Sequence, residues 1–176
     1  DMKKWLGFLV IPFLSLAYAF QAPLLQENFT GIANKFHQIP FLFGWSILVG
    51  VYNYVLSMQL FQRYGWKPGY LQTVAFIAIM LCVLNPLIPY EESRPHLASL
   101  HVLFSMLSCV LFFALHLLFL GYLSTVDLDL YQKNQKRLTL IVVTLVLLLF
   151  CFGSINSLIE CMIVIWMNIY MLRFEV

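Results

Sequence analysis

The sequence predicts an all-α integral membrane protein with six transmembrane helices in one compact bundle. Of its 176 residues, 62% are apolar and only 10% carry a charge, whereas about a quarter of the residues in a soluble domain are charged. Long apolar runs recur along the whole chain, and a helix needs about 20 apolar residues to cross the hydrocarbon core of a bilayer. The alternating ten-residue segments that are typical of a membrane β-barrel are not seen in the sequence.

Turn signals divide the chain into the predicted spans. The first run has the lysines and a small-residue stretch of a signal peptide, but it reaches about Leu25 and is long enough to span, so we interpret it as the first membrane helix. The second span begins at Pro40, a residue that suits the first turn of a helix. The third follows the turn Gly65–Gly69, the fourth follows Pro95, and Gly153–Ser154 predicts a tight hairpin before the last span. The predicted spans cover residues 5–25, 40–62, 70–89, 97–123, 138–153 and 155–173, within one domain of residues 1–176.

The positive charges predict the orientation of these spans. Six alternating spans place eight of the ten lysines and arginines at one end of the bundle and two, Lys35 and Arg94, at the other. Loops rich in Lys and Arg face the cytoplasm, so both termini should be cytoplasmic, and residues 26–39 and 90–96 should face outward. The eight are Lys3, Lys4, Arg63, Lys67, Lys133, Lys136, Arg137 and Arg173.

Polar and small residues recur at helical spacing in three spans, and such residues usually face the interior of a bundle. The fifth span offers only Thr144 among leucine, valine and isoleucine, so we expect it to be the most lipid-exposed. The predicted inward faces are Ser46, Gly50, Asn53 and Ser57 in the second span, Ala98, His101, Ser105, Ser108 and Phe112 in the fourth, and Asn156, Glu160, Val164 and Asn168 in the sixth.

Depth within the spans predicts a polar layer near the outer ends. At about 1.5 Å per residue, His101, Glu160 and Asn85 lie at similar depths, with Asn156 nearer the surface and Asn53 deeper. We predict that His101 and Glu160 lie within reach of a hydrogen bond or of one bridging water. An ionisable residue inside a span is a functional-site hypothesis by default, and the alternative is a carboxyl that only locks helix packing. The candidate ligand-binding residues are His101, Glu160, Asn85, Asn156, Asn53 and Ser105.

Histidine offers a weak case for a metal. A zinc site needs three or four ligands, and the candidates are His37, His96 and His101. His96 and His101 are five residues apart and converge only if the helix begins after His96. No HExxH motif is present, so no metal or other cofactor is expected. His116, deeper in the fourth span, is expected to serve packing or a hydrogen bond.

Three segments together resemble the Frag1/DRAM/Sfk1 family of six-helix membrane proteins. They are ENFTGIANKFHQIPFLFGWSILVG, PYEESRPHLASLHVLFS with its early histidine His101, and INSLIECMIVIWMNIYMLRF with its early glutamate Glu160. The likeness extends over much of the chain, although the Ile-Ser-Asp-x-Gly type signature of the family's outer loop is replaced by Asn28-Phe29-Thr30-Gly31. Small uncharacterised bacterial six-helix proteins share a similar proline and histidine at a helix start. The resemblance implies a six-helix fold, cytoplasmic termini and a role near lipid or membrane homeostasis.

Three functions fit these patterns. The favoured one is a non-catalytic membrane protein with an outer-leaflet polar cavity for a lipid or small amphiphile. The alternatives are an intramembrane metal-dependent lipid hydrolase and a small proton-coupled transporter that uses Glu160. The expected partners are membrane lipids, and a homo-oligomer is an alternative that the sequence leaves open. The absence of a basic cluster argues against nucleic acid. The protein should be a multi-pass protein of the plasma membrane in a bacterium or of an endomembrane in a eukaryote.

Overall fold

The computed structural model of the chain describes residues 2–90 and 93–174, and those residues form helices and turns without a β-strand. Glu91 and Glu92, which the sequence places in an outer turn, lie outside the described residues. A π-helical turn, Leu6–Val10, joins the first two helices, and a 3₁₀ turn, Asn85–Leu87, follows the fifth. The helices are α1 (Met2–Trp5), α2 (Ile11–Ala19), α3 (Phe29–Lys35), α4 (Ile39–Arg63), α5 (Leu71–Leu84), α6 (Pro95–Val126), α7 (Leu128–Phe152) and α8 (Ser157–Leu172).

Four helical segments are long and apolar enough to cross a membrane. They are Met2–Ala19, Ile39–Arg63, Pro95–Val126 and Leu128–Phe152. Two shorter apolar helices, Leu71–Leu87 and Ser157–Leu172, coincide with the predicted third and sixth spans. An all-helical membrane protein is therefore the architecture that the described residues support.

The chain forms two compact units. One comprises Asp1–His37 and Asp129–Val176, and the other comprises Gln38–Leu128. The first unit thus contains α1, α2, α3, α7 and α8, and the second contains α4, α5 and α6. The single six-helix domain stays a prediction, because it depends on how these two units join.

Two predicted spans end earlier than expected because proline interrupts them. α2 ends at Ala19 rather than near Leu25, and the following amides bond in tight turns before Pro23. The residue before a proline is biased away from the helical conformation. α5 ends at Leu84, where Asn85 and Pro86 open the 3₁₀ turn.

α7 begins about ten residues earlier than predicted. Residues 124–137 lie between the predicted fourth and fifth spans, yet Asp127 alone, with φ −151° and ψ 91°, separates α6 from α7. No glycine or proline lies between Asp127 and Gly153, so no residue there breaks a helix. The buried residues Asn134, Leu138, Ile141 and Leu145 recur at spacings of four and three, and this amphipathic pattern continues the helix through the charged stretch.

Residues 26–39, which were expected to face outward, contain the helix α3, which was not predicted. Asn28 caps α3 by accepting a hydrogen bond from the amide of Gly31 at 2.7 Å. Asparagine is among the strongest N-cap residues, so Asn28 was the residue from which the start of α3 could have been predicted.

The expected inward face of α4 is confirmed by burial. Ser46, Gly50, Asn53 and Ser57 are all buried. A Cβ atom built on Gly50 would lie 3.1 Å from methyl carbons of both Ile79 and Val83 in α5, so glycine allows the close approach of the two helices. α7 is the most exposed of the four long segments, with 17% of its most apolar stretch buried.

Candidate functional site

Three of the predicted site residues meet where α5 ends and α6 begins. The Asn85 side-chain amide donates to Ser105 Oγ at 2.7 Å and lies 3.1 Å from His101 Nε2. The 3₁₀ turn that follows α5 brings the carbonyl oxygen of Ile88 to 3.0 Å from His101 Nδ1. We call Asn85, His101 and Ser105 the Asn85 cluster.

The partners of His101 define its tautomer. The Nδ2 group of Asn85 only donates, so His101 Nε2 accepts and the proton resides on Nδ1. Nδ1 then donates to the Ile88 carbonyl. Both ring nitrogens are thus used by the fold, and His101 is a neutral imidazole that fixes the turn between α5 and α6.

The Asn85 cluster lies partly open within an apolar surface. His101 is 5% exposed, whereas Asn85 and Ser105 are half-buried. The ring of Tyr90, itself exposed, lies 5.4 Å from the His101 ring. Around Ser105 the exposed residues of α6 are all apolar, namely Val102, Leu103, Met106 and Leu107. The cluster therefore offers hydrogen-bonding groups beside a surface suited to lipid.

Glu160 binds the start of α3. Its Oε2 atom accepts a hydrogen bond from the backbone amide of Phe29 at 2.6 Å, at the first residue of α3. The Tyr18 hydroxyl donates to the carbonyl of the same residue at 3.2 Å. These bonds favour the interpretation of Glu160 as a carboxyl that locks packing.

Asn156 and Ser157 complete this attachment. Asn156 caps α8, accepting from the amide of Ile159 at 3.1 Å. The amide and the hydroxyl of Ser157 both donate to the carbonyl of Glu27, at 2.8 and 2.6 Å. Ser157 was missed by sequence reasoning, since its partner lies 130 residues away and no local pattern marks it.

Asn53 and His116 lie deeper in the second unit. The Asn53 amide donates to the carbonyl of Val49 at 2.8 Å, one turn earlier in the same helix. His116 is fully buried, with Nε2 3.2 Å from Ser57 Oγ and its ring against Phe61 and Phe112. These contacts agree with the roles in packing and hydrogen bonding that were expected for His116.

The three histidines proposed for a metal differ in setting. His37 and His96 are exposed, and His37 has a φ of +56°. Within residues 2–90 and 93–174, no three or more His, Cys, Asp or Glu side chains are grouped as a metal site requires. The positions of the described histidines therefore give no specific observation that favours a metal site.

His101 and Glu160 belong to different units. Each has a partner in its own unit, Ile88 for His101 and Phe29 for Glu160. The contact predicted between them, and the layer that would join Asn156 to the Asn85 cluster, stay predictions.

Comparison with protein-family models, with curated proteins and with solved structures finds no match.

Proposed function

We propose that the chain crosses the membrane six times with both termini in the cytoplasm. Leu71–Leu87 and Ser157–Leu172 are shorter than the other four segments, but about 17 apolar residues can cross where the bilayer thins locally. Six crossings also keep eight of ten cationic residues on one side, as the charge asymmetry of membrane proteins requires.

Single-cysteine variants in a cysteine-free background test this topology. Ser154→Cys, at the α7–α8 hairpin, should react with an impermeant maleimide added to intact cells. Gln135→Cys, in the first half of α7, should react only after the membrane is permeabilised. Labelling of both variants in intact cells would contradict the six-span arrangement.

On this topology, we infer that the protein is a non-catalytic membrane protein that binds a lipid or small amphiphile at the Asn85 cluster. The observation that carries this proposal is the half-buried residue Ser105 amid apolar, exposed neighbours. Ser105 Oγ accepts from Asn85, and no described residue accepts the proton of that hydroxyl. A lipid ester or phosphate oxygen at the same depth would accept it.

Binding agrees better with the contacts than catalysis or transport does. A hydrolase would need His101 as a ligand or base, and both of its ring nitrogens already hold the turn. A carrier would need Glu160 to exchange partners, and its carboxyl is bound to the amide of Phe29. No contact among the described residues specifically favours the hydrolase or the carrier.

The biological setting that we propose follows from the resemblance to the Frag1/DRAM/Sfk1 family, which we retain as a hypothesis. It places the protein in membrane or lipid homeostasis, in the plasma membrane of a bacterium or an endomembrane of a eukaryote. The lipids of that membrane are the partners proposed here.

Native mass spectrometry of the protein released from mixed-lipid nanodiscs tests the binding proposal. Ser105→Ala should reduce lipid retention by about 5- to 10-fold, the equivalent of one hydrogen bond of about 1 kcal/mol. Ser99→Ala, the same change at an exposed position of α6, should leave retention unchanged. Equal retention by all three proteins would refute the proposal, and the same spectra report the oligomeric state.

A further inference from the structure

We propose that a cavity between α7 and α8 binds the phosphate group of an anionic phospholipid. The cavity has a volume of about 250 Å³ and is lined by Arg137 and Arg173. It lies within the unit of Asp1–His37 and Asp129–Val176, whereas the Asn85 cluster belongs to the other unit. The proposal is therefore independent of the lipid site suggested above.

The hairpin places the two arginines at the same level. Arg137 lies 15 residues before the end of α7, and Arg173 lies 16 residues after the start of α8. At about 1.5 Å per residue, both lie roughly 22–24 Å from the hairpin. That distance is about 6–8 Å less than the thickness of the hydrocarbon core, and long arginine side chains near helix ends can extend over such a gap to the headgroup region.

Both guanidinium groups retain the capacity to bind an anion. Arg137 Nη1 donates to Asn134 Oδ1 at 3.3 Å, which uses one of the five N–H donors of the group. Among the described residues, no carboxylate forms an ion pair with Arg137 or Arg173. Two guanidinium groups beside one cavity match the charge and the planar donor geometry that phosphate recognition uses.

The rest of the lining fits a lipid better than a soluble anion. Leu140, Ile141 and Ile169 lie about one turn closer to the hairpin than the arginines, and Trp166 lies about two turns closer. An acyl chain that follows the phosphate would contact this apolar wall. Tyr170 also lines the cavity, and tyrosine and tryptophan are enriched where headgroups meet hydrocarbon.

The predicted orientation agrees with the charge of the ligand. The cavity lies at the end of the molecule where the sequence places its excess of lysine and arginine, which should be cytoplasmic. Anionic phospholipids give the cytoplasmic leaflet its negative surface potential. A lipid with a net negative headgroup is thus the occupant that we assign.

Competitive native mass spectrometry tests this assignment. The full-length protein is presented with equal amounts of phosphatidylglycerol and phosphatidylcholine of identical acyl chains. Arg137→Gln with Arg173→Gln should reduce the preference for phosphatidylglycerol by about 10-fold or more, since charged hydrogen bonds are lost. Lys133→Gln with Lys136→Gln is the matched control, because it removes the same charge at the same end from residues that do not line this cavity.

Two outcomes would overturn the proposal. An equal loss of preference in the lysine variant would mean that general surface charge attracts the lipid. Displacement of phosphatidylglycerol from the wild-type protein by millimolar inorganic phosphate, with no contribution from the acyl chains, would mean that the cavity takes a free anion. A loss confined to the arginine variant and insensitivity to inorganic phosphate would support the proposal.

A fluorescence measurement covers the case in which the arginine variant does not fold. Lipids brominated near the glycerol end of the acyl chain quench tryptophan on contact, and the difference between wild-type protein and Trp166→Phe isolates Trp166 from the other three tryptophans. The Trp166 component should be quenched more strongly by brominated phosphatidylglycerol than by brominated phosphatidylcholine. Equal quenching by the two lipids would contradict the proposal.

Discussion

Replacing Glu160 with leucine removes the acceptor that holds the amide of Phe29. The Oε2 atom lies 2.6 Å from that nitrogen, and Phe29 is 2% exposed. Water therefore has little access to replace the lost partner. The same amide belongs to the first residue of α3, where no bond within the helix is available to it.

The size of the effect follows from the chemistry of this bond. A hydrogen bond between neutral groups contributes about 0.5–1.5 kcal/mol, and leaving a buried donor without its acceptor costs about 1–3 kcal/mol. Glu160→Leu should therefore make local opening of residues 24–36 about 10- to 100-fold more frequent, at about 1.4 kcal/mol for each factor of ten. Glu160→Gln keeps an acceptor oxygen and should have an effect of about 10-fold or less.

Hydrogen–deuterium exchange of peptides that cover residues 24–36 measures this opening directly. Glu27→Gln serves as the control, because Glu27 Oε1 lies 3.9 Å from Lys35 Nζ in a partly exposed pair, and such pairs contribute about 0–1 kcal/mol. Equal protection of residues 24–36 in Glu160→Leu and Glu27→Gln would refute the role of Glu160 in holding the start of α3.

Three further predictions concern stability, each measured by thermal unfolding in detergent. Gly153→Ala should destabilise by about 1 kcal/mol because φ is +67°, whereas Gly121→Ala, in an open position of α6, should stabilise by up to about 1 kcal/mol; the same sign for both would contradict this. Gly50→Val should cost about 1–3 kcal/mol by overpacking the α4–α5 contact, and Gly44→Val, which has no atom within 4 Å of its new Cβ, should cost less. Asn168→Leu should be neutral or stabilising, because both amide atoms are buried without a hydrogen-bond partner among the described residues; a large loss would reveal a partner.

The helices could be predicted from the sequence where apolar runs and turn residues agree. Pro40 falls in the first turn of α4, which begins at Ile39. Gly153 directly follows the end of α7, in the turn that the sequence predicted before the last helix. The spacing of Ser46, Gly50 and Asn53 identified the buried face of α4, since a helix repeats every 3.6 residues. The span predicted within α7 covers residues 138–153, whereas the helix itself begins at Leu128, because the buried residues of the charged stretch continue the helical repeat.

The partners of the polar residues were harder to predict. Depth predicted a common level for Asn85, His101 and Glu160, and helical spacing placed Ser105 on the same face of its span as His101. The structure brings Asn85, His101 and Ser105 together. The carboxyl of Glu160, however, bonds to a backbone amide 131 residues away. Every residue except proline carries such an amide, so neither residue type nor spacing indicates which of them a buried carboxyl will select.

The most direct test of the proposed function is an NMR measurement on the protein in lipid nanodiscs. The side-chain amide of Asn85 gives its own resonances, and its nitrogen lies 2.7 Å from the Ser105 hydroxyl oxygen. Lipid binding at the Asn85 cluster predicts intermolecular NOEs from these amide protons to the glycerol or headgroup protons of a lipid. NOEs to acyl-chain methyl protons alone, or to no lipid protons, would contradict it.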